Sequence, residues 1–464
     1  MDRRFATRNA TVPALLLFVT VVVGGMGPAA SAVEARTTLV RDVDNGADDS
    51  IRSWGSETFV PRFARLAHEL FFAATDGKRG TELWKTDGTP AGTDLVKDID
   101  PGGSSEPYGL TAVGDELFFA ADDGVHGHEL WRSDGTRAGT RFVKDIEPGP
   151  NGSYLEQFTN VTGTLFFTAG GGALWKTNGT RSGTVVVKDV FQGVNSRRPY
   201  GLTDVGGVLM FAAKKQGDGG YELWRSDGTE VGTVQVKDIY PGEGDSFPDH
   251  LTAVGTTVWF QADDGVHGTE LWKSDGTEAG TLLVSDIVAG VASSQPSGFT
   301  SVGSTIFFAA TNASNGRELW MTDGTEAETS VVRDIELGSE SSLVKNHSVI
   351  LFQACDSLHG CELWKSDGTK SGTTRVKDIR RGTESSYPGE LLTARDVTCF
   401  KASDGRHGWK VWTTDGTAGG TRMSKDIRRG GKSSYPWLFV SIGRSVYFAA
   451  DDGVHGREPW KLRV

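Results

Sequence analysis

Three short segments combine arginine with aromatic residues on a chain that is acidic overall, with a formal net charge of −12. Aromatic rings stack on the apolar faces of sugars and arginine pairs with carboxylates, so this combination favours binding of acidic or neutral glycans. The alternative is a set of solvated loop charges above a packed tyrosine. The three clusters are Arg197, Arg198 and Tyr200; Arg380, Arg381 and Tyr387; and Arg428, Arg429, Tyr435 and Trp437.

Paired aspartates precede a Gly-Val-His sequence at three places in the chain. Paired carboxylates could hold Ca²⁺, which prefers oxygen ligands, but their spacing matches no known calcium loop. We favour the alternative of a hairpin turn in which the aspartates cap backbone N–H groups. One histidine per turn does not supply the converging ligands that zinc needs, so we expect no cofactor. The pairs are Asp122 and Asp123, Asp263 and Asp264, and Asp451 and Asp452.

Only three cysteines occur, so disulfides cannot form the framework of the fold. Cys355 and Cys361 flank a five-residue segment that we interpret as a hairpin tip, where the two would face each other at bridging distance. We therefore hypothesise a local disulfide. Cys399 lies in an apolar run and is interpreted as a buried packing residue.

The sequence contains no Gly-x-Ser-x-Gly, phosphate-loop, Cys-x-x-Cys or His-Glu-x-x-His motif. Carboxylates for glycoside cleavage are plentiful, but nothing selects one pair. We therefore expect a binding protein without catalytic residues. A glycan-active hydrolase or lyase, with its site in a central cavity, is one alternative, and a purely structural interaction scaffold is another.

These candidate residues sit on a repeat of the form E-L-W-K-[ST]-D-G-T-x-x-G-T or a close variant of it. Nine copies spaced 44 to 49 residues apart indicate an array of supersecondary units that bury apolar surface against one another. Their tryptophans are Trp84, Trp131, Trp175, Trp224, Trp272, Trp320, Trp364, Trp412 and Trp460.

Each repeat reads as four short strands, which we name a, b, c and d. The unbroken apolar run at residues 117–121 predicts a b strand covered on both faces, and glycines separate the strands. A radial stack of four-stranded antiparallel sheets satisfies that demand, so we predict an all-β propeller. A linear solenoid is the structural alternative, but it would need polar capping units at its ends.

The chain ends predict a closed ring. Residues 38–43 match a d strand that has no preceding a, b or c strand, while only four residues follow Trp460. The first segment therefore supplies the strand that the last repeat lacks, which gives nine blades. Eight blades are the alternative, because the units of Trp175 and Trp460 are the least regular. In such a ring the b-to-c and d-to-a loops share one face, and the three clusters lie in d-to-a connections.

The copies at residues 82–89, 129–136, 222–229, 270–277 and 362–369 resemble the ELWxxDGT repeat family of exported bacterial proteins. The resemblance covers residues 33–464, which we interpret as a single domain, and it implies a propeller but no reaction. Departures are Ala173 and Asn178, Lys410 and Val411, and the truncated ninth copy. The Ser-Asp-Gly-Thr turns are also similar to the Asp-box turns of sialidase-type propellers, and we interpret them as turn-building.

The first 32 residues predict a secretory signal peptide. Arg3, Arg4 and Arg8 precede an apolar run at residues 12–23, and small residues lead to Ala32. The run is shorter than a membrane span, so we expect no membrane insertion and a secreted or periplasmic protein. The acidic balance disfavours nucleic acid as a partner. We expect recognition of glycans, or of envelope or extracellular proteins, through the face with the b-to-c and d-to-a loops.

Overall fold

Nine antiparallel sheets form the blades of a closed β-propeller. The computed structural model describes residues 36–52, 63–190, 198–214, 220–312, 316–338 and 342–464. The predicted signal peptide lies outside these residues, and so does Arg197. The described part of the chain contains strands and turns but no helix, and hence no helical segment that could cross a membrane.

Within every blade the strands pair in the order a, b, c, d. Blade 1 contains Phe63–Leu66, Glu69–Thr75, Thr81–Thr86 and Thr93–Lys97; blade 2 Tyr108–Val113, Glu116–Asp122, His128–Ser133 and Arg141–Lys144; blade 3 Glu156–Val161, Thr164–Ala169, Ala173–Thr177 and Val185–Lys188; blade 4 Tyr200–Val205, Val208–Lys214, Tyr221–Ser226 and Val234–Lys237; blade 5 Asp249–Val254, Thr257–Asp263, Thr269–Ser274 and Leu282–Ser285. Blade 6 contains Ser297–Val302, Thr305–Asn312, Gly316–Thr322 and Ser330–Arg333; blade 7 Val344–Asn346, Val349–Asp356, Gly360–Ser366 and Thr374–Lys377, with Glu336–Leu337 also paired to its b strand; blade 8 Gly389–Ala394, Val397–Ser403, Trp409–Thr414 and Arg422–Met423; blade 9 Trp437–Ile442, Ser445–Asp451, Arg457–Arg463 and Thr37–Leu39.

The core lies between the blades, because the leucine and tryptophan of each c strand point to opposite sheet faces. Trp131 of blade 2 packs with Phe71 and Leu83 of blade 1. Its neighbour Leu130 packs with Leu165 of blade 3 and with other residues of that interface. Each blade therefore buries one apolar face against the blade before it and one against the blade after it.

The ring is closed by strand Thr37–Leu39, which pairs antiparallel with Arg457–Arg463 and places Leu39 opposite Trp460. The next residue extends the junction, since Val40 N donates to the Pro459 carbonyl at 2.9 Å. The prediction of nine blades closed by an N-terminal d strand is confirmed. The alternatives of eight blades and of an open solenoid are wrong, because the units of Trp175 and Trp460 both form blades.

Basic residues near the ends of the d strands link a blade to the next one at every junction except that between blades 5 and 6. Lys97 Nζ donates to the Thr140 carbonyl at 2.8 Å and lies 5.3 Å from the ring centroid of Trp131. Lys144 makes the same two contacts with Thr184 and Trp175. These two linkages each combine a charge-assisted hydrogen bond with a cation–π contact. The basic residues at this position are Arg41, Lys97, Lys144, Lys188, Lys237, Arg333, Lys377 and Lys425, and blade 5 has Ser285 instead.

A buried glutamate two residues before the tryptophan of most c strands holds the d-to-a loop that leaves the blade. Glu82 accepts hydrogen bonds from Ile99 N at 2.8 Å, Ser105 N at 3.0 Å and Ser105 Oγ at 2.6 Å. Burial raises the pKa of Glu82 to about 7, although these hydrogen bonds oppose the shift. These loops are therefore anchored to the blades by fully buried carboxyl groups. The other glutamates at this position are Glu129, Glu222, Glu270, Glu318, Glu362 and Glu458.

Candidate ligand-binding site

The b-to-c tips and the d-to-a loops meet on one face of the ring, which we call the upper face. Glu106 N, in the loop between blades 1 and 2, donates to Thr81 O at the start of the c strand of blade 1, at 3.0 Å. In the same loop Ser105 O accepts from Asp122 N, at the end of the b strand of blade 2, at 2.9 Å. The loop is thus fixed to two neighbouring blades, an arrangement that makes the upper face a rigid platform.

The paired aspartates at the tips are used within their own turns. Asp123 Oδ1 accepts from Val125 N at 3.0 Å and from His126 N at 2.9 Å, and Oδ2 lies 2.8 Å from His126 Nδ1. Burial acts to raise the pKa of Asp123, but its hydrogen bonds with His126 hold that pKa below the ordinary value. Asp122 Oδ1 accepts from Gly124 N at 2.8 Å. Within the described residues no three His, Cys, Asp or Glu side chains cluster as metal ligands would.

A second feature of the upper face is a loop position that carries large exposed side chains in the left-handed backbone region. This position comes directly after a buried serine and two residues before the first residue of strand a. A bulky residue rarely adopts this conformation, and outliers of this kind concentrate at functional sites. The aromatic residues there are Tyr154, Phe247, Tyr387 and Tyr435, with φ between 43° and 48° and exposed fractions of 57%, 43%, 51% and 56%.

Tyr387 and Tyr435 line one cavity of about 770 Å³ on blades 7 to 9. Trp409, the first residue of the c strand of blade 8, and Trp437, the first residue of strand a of blade 9, add two indole rings to its wall. The ring centroids of Tyr387 and Trp409 lie 6.5 Å apart. A cavity of this volume falls within the usual range for small-ligand sites, about 300–1,000 Å³.

Two cationic side chains complete the wall of this aromatic cavity. Lys401 Nζ lies 3.3 Å from Glu390 Oε1, and the lysine side chain is 28% exposed. The Arg457 guanidinium lies 5.6 Å from the ring centroid of Trp437 and 3.5 Å from Asp49. Glu336 and Gln353 also line the cavity. The cavity is therefore lined by one amide, one carboxyl group, two cations and four aromatic rings.

Cys355 and Cys361 form a disulfide that is part of the same wall. The two residues are direct cross-strand partners at the b-to-c tip of blade 7, where the sequence hypothesis placed them. Cys399 is a buried free cysteine, and burial raises the pKa of its thiol to about 12. The disulfide therefore fixes the tip that borders the cavity.

Two b-strand residues that line this cavity differ from the commonest residue at their position. Lys401 occupies a position that is alanine in five other blades, and Gln353 occupies it in blade 7, as Gln261 does in blade 5. Those alanines are Ala73, Ala120, Ala212, Ala309 and Ala449. Trp409 and Arg457 stand at a variable position at the start of the c strand, which is threonine in blades 1 and 5 and arginine also in blade 6. Variable positions of the repeat therefore supply much of the lining of this cavity.

The second and third predicted clusters contribute their aromatic residues to the cavity, whereas their arginines lie elsewhere. Arg380 pairs with Glu384 in its own loop at 3.0 Å. Arg428 forms an ion pair with Asp451 at the tip of blade 9. Arg381 and Arg429 are exposed. The loop arginines are therefore directed towards neighbouring acids and solvent.

The first predicted cluster is a separate location on blade 4. Arg198 Nη1 donates to Tyr154 O at 3.1 Å, and its guanidinium lies 5.4 Å from the ring centroid of Tyr154. Tyr200 contacts Tyr221, with ring centroids 6.1 Å apart. None of these described residues lines the cavity on blades 7 to 9.

Sequence reasoning missed Lys401, Trp409 and Arg457, which belong to strands rather than loops. An alignment of the nine repeats by strand position would have found Lys401, because no other blade has a lysine there, whereas Trp409 and Arg457 stand at a variable position. Tyr154 and Phe247 were missed as well. The sequence feature that could have identified them is an aromatic residue directly after the loop serine, which they share with Tyr387 and Tyr435.

No family model and no curated protein matches this chain. Among solved structures, it is similar to the computationally designed Ika8 protein at 15% identity, with 90% of this chain and 100% of that chain covered and a TM-score of 0.43. It is similar to puromycin hydrolase at 16% identity (75% of this chain, 58% of that chain, TM-score 0.39) and to a prolyl endopeptidase at 10% (84%, 54%, TM-score 0.41). The chain thus spans little more than half of either enzyme. Likenesses of this degree say nothing about activity.

Proposed function

We propose that this protein is an exported carbohydrate-binding propeller that holds an acidic glycan in the cavity on blades 7 to 9. One observation carries the proposal: Lys401, Trp409 and Arg457 meet the exposed Tyr387 and Tyr435 in one cavity. The resemblance to the exported ELWxxDGT family and the signal-like first 32 residues support export.

The aromatic side chains favour a sugar over a purely apolar ligand. Tyr387, Trp409, Tyr435 and Trp437 offer ring faces to the C–H surfaces of pyranose rings, while their polar atoms remain available for hydroxyl groups. Gln353 adds an amide that can both donate and accept hydrogen bonds. This mixture of flat apolar surfaces and dispersed polar groups suits a saccharide.

The two cations favour an acidic sugar over a neutral one. Lys401 and Arg457 line the cavity of a protein that is otherwise rich in carboxylates. Their acidic neighbours, Glu390 and Asp49, lie at 3.3 and 3.5 Å, which leaves donors on both cations for a ligand carboxylate. A uronic acid unit would pair with these donors while its ring stacks on an aromatic side chain.

We propose binding without turnover. Glycoside hydrolysis usually requires two carboxyl groups on either side of the scissile bond. Among the described residues that line the cavity, Glu336 is the one carboxyl group. Recognition of a protein partner through the same face is the competing interpretation, and binding to purified glycans distinguishes the two.

The test measures binding of the mature protein to immobilised hexasaccharides of alginate, polygalacturonate and hyaluronate, with laminarihexaose as a neutral comparison. We expect binding to at least one acidic hexasaccharide that weakens as salt is added. Tyr435→Ala and Lys401→Met should each reduce affinity at least tenfold, which corresponds to about 1.4 kcal/mol. Tyr154→Ala is the matched control, because Tyr154 occupies the same loop position outside the cavity.

Three outcomes would contradict the proposal. Failure to bind every acidic hexasaccharide would remove the glycan function and leave a protein partner as the occupant. Equal losses for Tyr435→Ala and Tyr154→Ala would place the ligand away from the cavity. Release of new reducing ends from any hexasaccharide would show turnover and favour a hydrolase or lyase.

A further inference from the structure

Blade 4 carries a second group of stacked aromatic residues on the upper face. Tyr221 contacts Tyr200 at a centroid distance of 6.1 Å and Phe247 at 5.7 Å, and the rings of Tyr221 and Phe247 are inclined by only 18°. Tyr221 is 4% exposed, whereas Phe247 is 43% exposed. The buried tyrosine thus supports a phenylalanine ring that remains partly open to solvent.

The three residues occupy the same repeat positions as three aromatic residues of the cavity. Tyr200 begins strand a as Trp437 does, and Tyr221 begins strand c as Trp409 does. Phe247 shares its loop position and its left-handed backbone with Tyr435, at φ values of 44° and 43°. The geometry that presents rings to the cavity is therefore repeated four blades away, on the far side of the nine-bladed ring.

One cation, Lys214, lies beside this second group. Lys214 Nζ lies 5.8 Å from the ring centroid of Tyr221 and 3.8 Å from Asp245 Oδ1, and the side chain is 35% exposed. Phe247 contributes little to the stability of the fold, because its ring is only about half removed from water and its backbone conformation is strained. Aromatic faces beside a partly exposed ammonium group suit the same class of ligand as the cavity.

We propose that Tyr200, Tyr221 and Phe247 form a second, shallower contact site for acidic sugars, and that the ring binds one long polysaccharide chain at both sites. The proposal rests on the function proposed above. The platform is rigid, so a chain held at the cavity reaches the second site as an intramolecular event with a high effective concentration. The preferred ligand is then a polymer of acidic sugars rather than a short oligosaccharide.

The test compares each acidic glycan as a hexasaccharide and as a polymer: alginate, polygalacturonate and hyaluronate. For the glycan that binds, we expect the polymer to bind wild type at least tenfold more tightly per chain than the hexasaccharide. Phe247→Ala should remove this advantage and leave hexasaccharide affinity at the cavity within twofold. Phe247→Tyr, which keeps an aromatic ring, should retain the advantage, and Tyr154→Ala serves as the control for loss of an exposed loop aromatic.

The readouts separate the second site from the cavity. Calorimetry at high hexasaccharide concentration should show two sites per wild-type chain, and one in either Phe247→Ala or Tyr435→Ala. Unchanged polymer affinity in a folded Phe247→Ala variant, or one site in wild type, overturns the second site and leaves the cavity proposal intact. Absence of all hexasaccharide binding overturns both.

Discussion

Leu39 and Trp460 lie directly opposite each other in the antiparallel pair that closes the ring, although 421 positions separate them in the chain. The pair makes the last blade a composite of both ends of the described chain. Its d strand is held by hydrogen bonds and packing, whereas every other d strand is tied covalently to its own c strand. The closure is therefore the junction at which the ring is easiest to open.

A proline at position 40 tests this closure. Val40→Pro removes the N–H that donates to the Pro459 carbonyl and replaces the branched side chain, which is 1% exposed, by a ring of different shape. We expect a loss of at least about 2 kcal/mol in the free energy of unfolding, measured by denaturant titration. Val143→Pro, at the same position of the d strand of blade 2, is the control and should cost less because that strand is tethered. Equal losses would argue against a weak closure.

The architecture was predictable because it follows from a residue pattern that recurs in every repeat. Nine copies of the tryptophan-containing repeat specify nine c strands, and the alternation of an apolar residue with tryptophan specifies two buried faces for each blade. The unmatched strand at residues 37–39 completes the count. Each of these inferences depends on spacing within one repeat, which a single sequence reports directly.

The site was predictable only in part, because it joins residues from three blades. The sequence places Tyr387, Tyr435 and Trp437 in the d-to-a loops of adjacent blades, and the structure places all three in the wall of the cavity. Trp409 lines the cavity together with these rings, and Arg428 pairs with Asp451 instead of entering the cavity. Both arrangements depend on packing between blades, which no local sequence pattern encodes. The cavity arises from tertiary contacts, so strand residues such as Lys401 became visible only in three dimensions.

The junction between blades 5 and 6 lacks the basic residue that links the other blades, because Ser285 occupies that position. Ser285→Lys should let an ammonium group reach the Thr329 carbonyl and the Trp320 ring, as Lys237 does with Thr281 and Trp272. We expect a gain of about 0.5–1.5 kcal/mol in a urea titration. Ser285→Met, which has a long side chain without charge, should gain less. An equal gain for methionine would show that packing alone is involved.

The buried glutamates make stability depend on pH. Burial raises the pKa of Glu458 from its ordinary value of 4.5 to about 8. Between these values the folded protein keeps a proton that the unfolded chain releases, so the stability present below pH 4.5 is lost as the pH rises towards 8. Glu458→Gln should flatten this decline by up to about 1.4 kcal/mol per pH unit in melts from pH 4.5 to 8. The exposed Glu328→Gln should leave the slope unchanged, and a wild-type slope of zero would contradict the argument.

The disulfide beside the cavity should stabilise the tip of blade 7. Replacing Cys355 and Cys361 together with serine removes a cross-link between residues six positions apart, and we expect a loss of about 2 kcal/mol. A thiol reductant should lower the melting temperature of wild type and leave the double variant unaffected. Alkylation of the unreduced, denatured protein should label Cys399 alone, whereas labelling of all three cysteines would contradict the pairing.

Blade 8 has Lys410 at the buried c-strand position where most blades have glutamate, and Asp426 compensates the positive charge. Lys410 is 0% exposed, and its Nζ lies 2.9 Å from Asp426 and 2.7 Å from the Lys432 carbonyl. Lys410→Ala leaves Asp426 without its cation and should cost about 3–5 kcal/mol. Lys410→Glu should lower the free energy of unfolding by less. In blade 7, Ile379 N and Ser386 Oγ donate to Glu362, and blade 8 has Ile427 and Ser434 at the equivalent positions to donate to the new carboxylate. Denaturant midpoints of the two variants, compared with Val125→Ala at an exposed tip, check the order. A more severe loss for Lys410→Glu than for Lys410→Ala would mean that blade 8 has diverged too far to accept the glutamate.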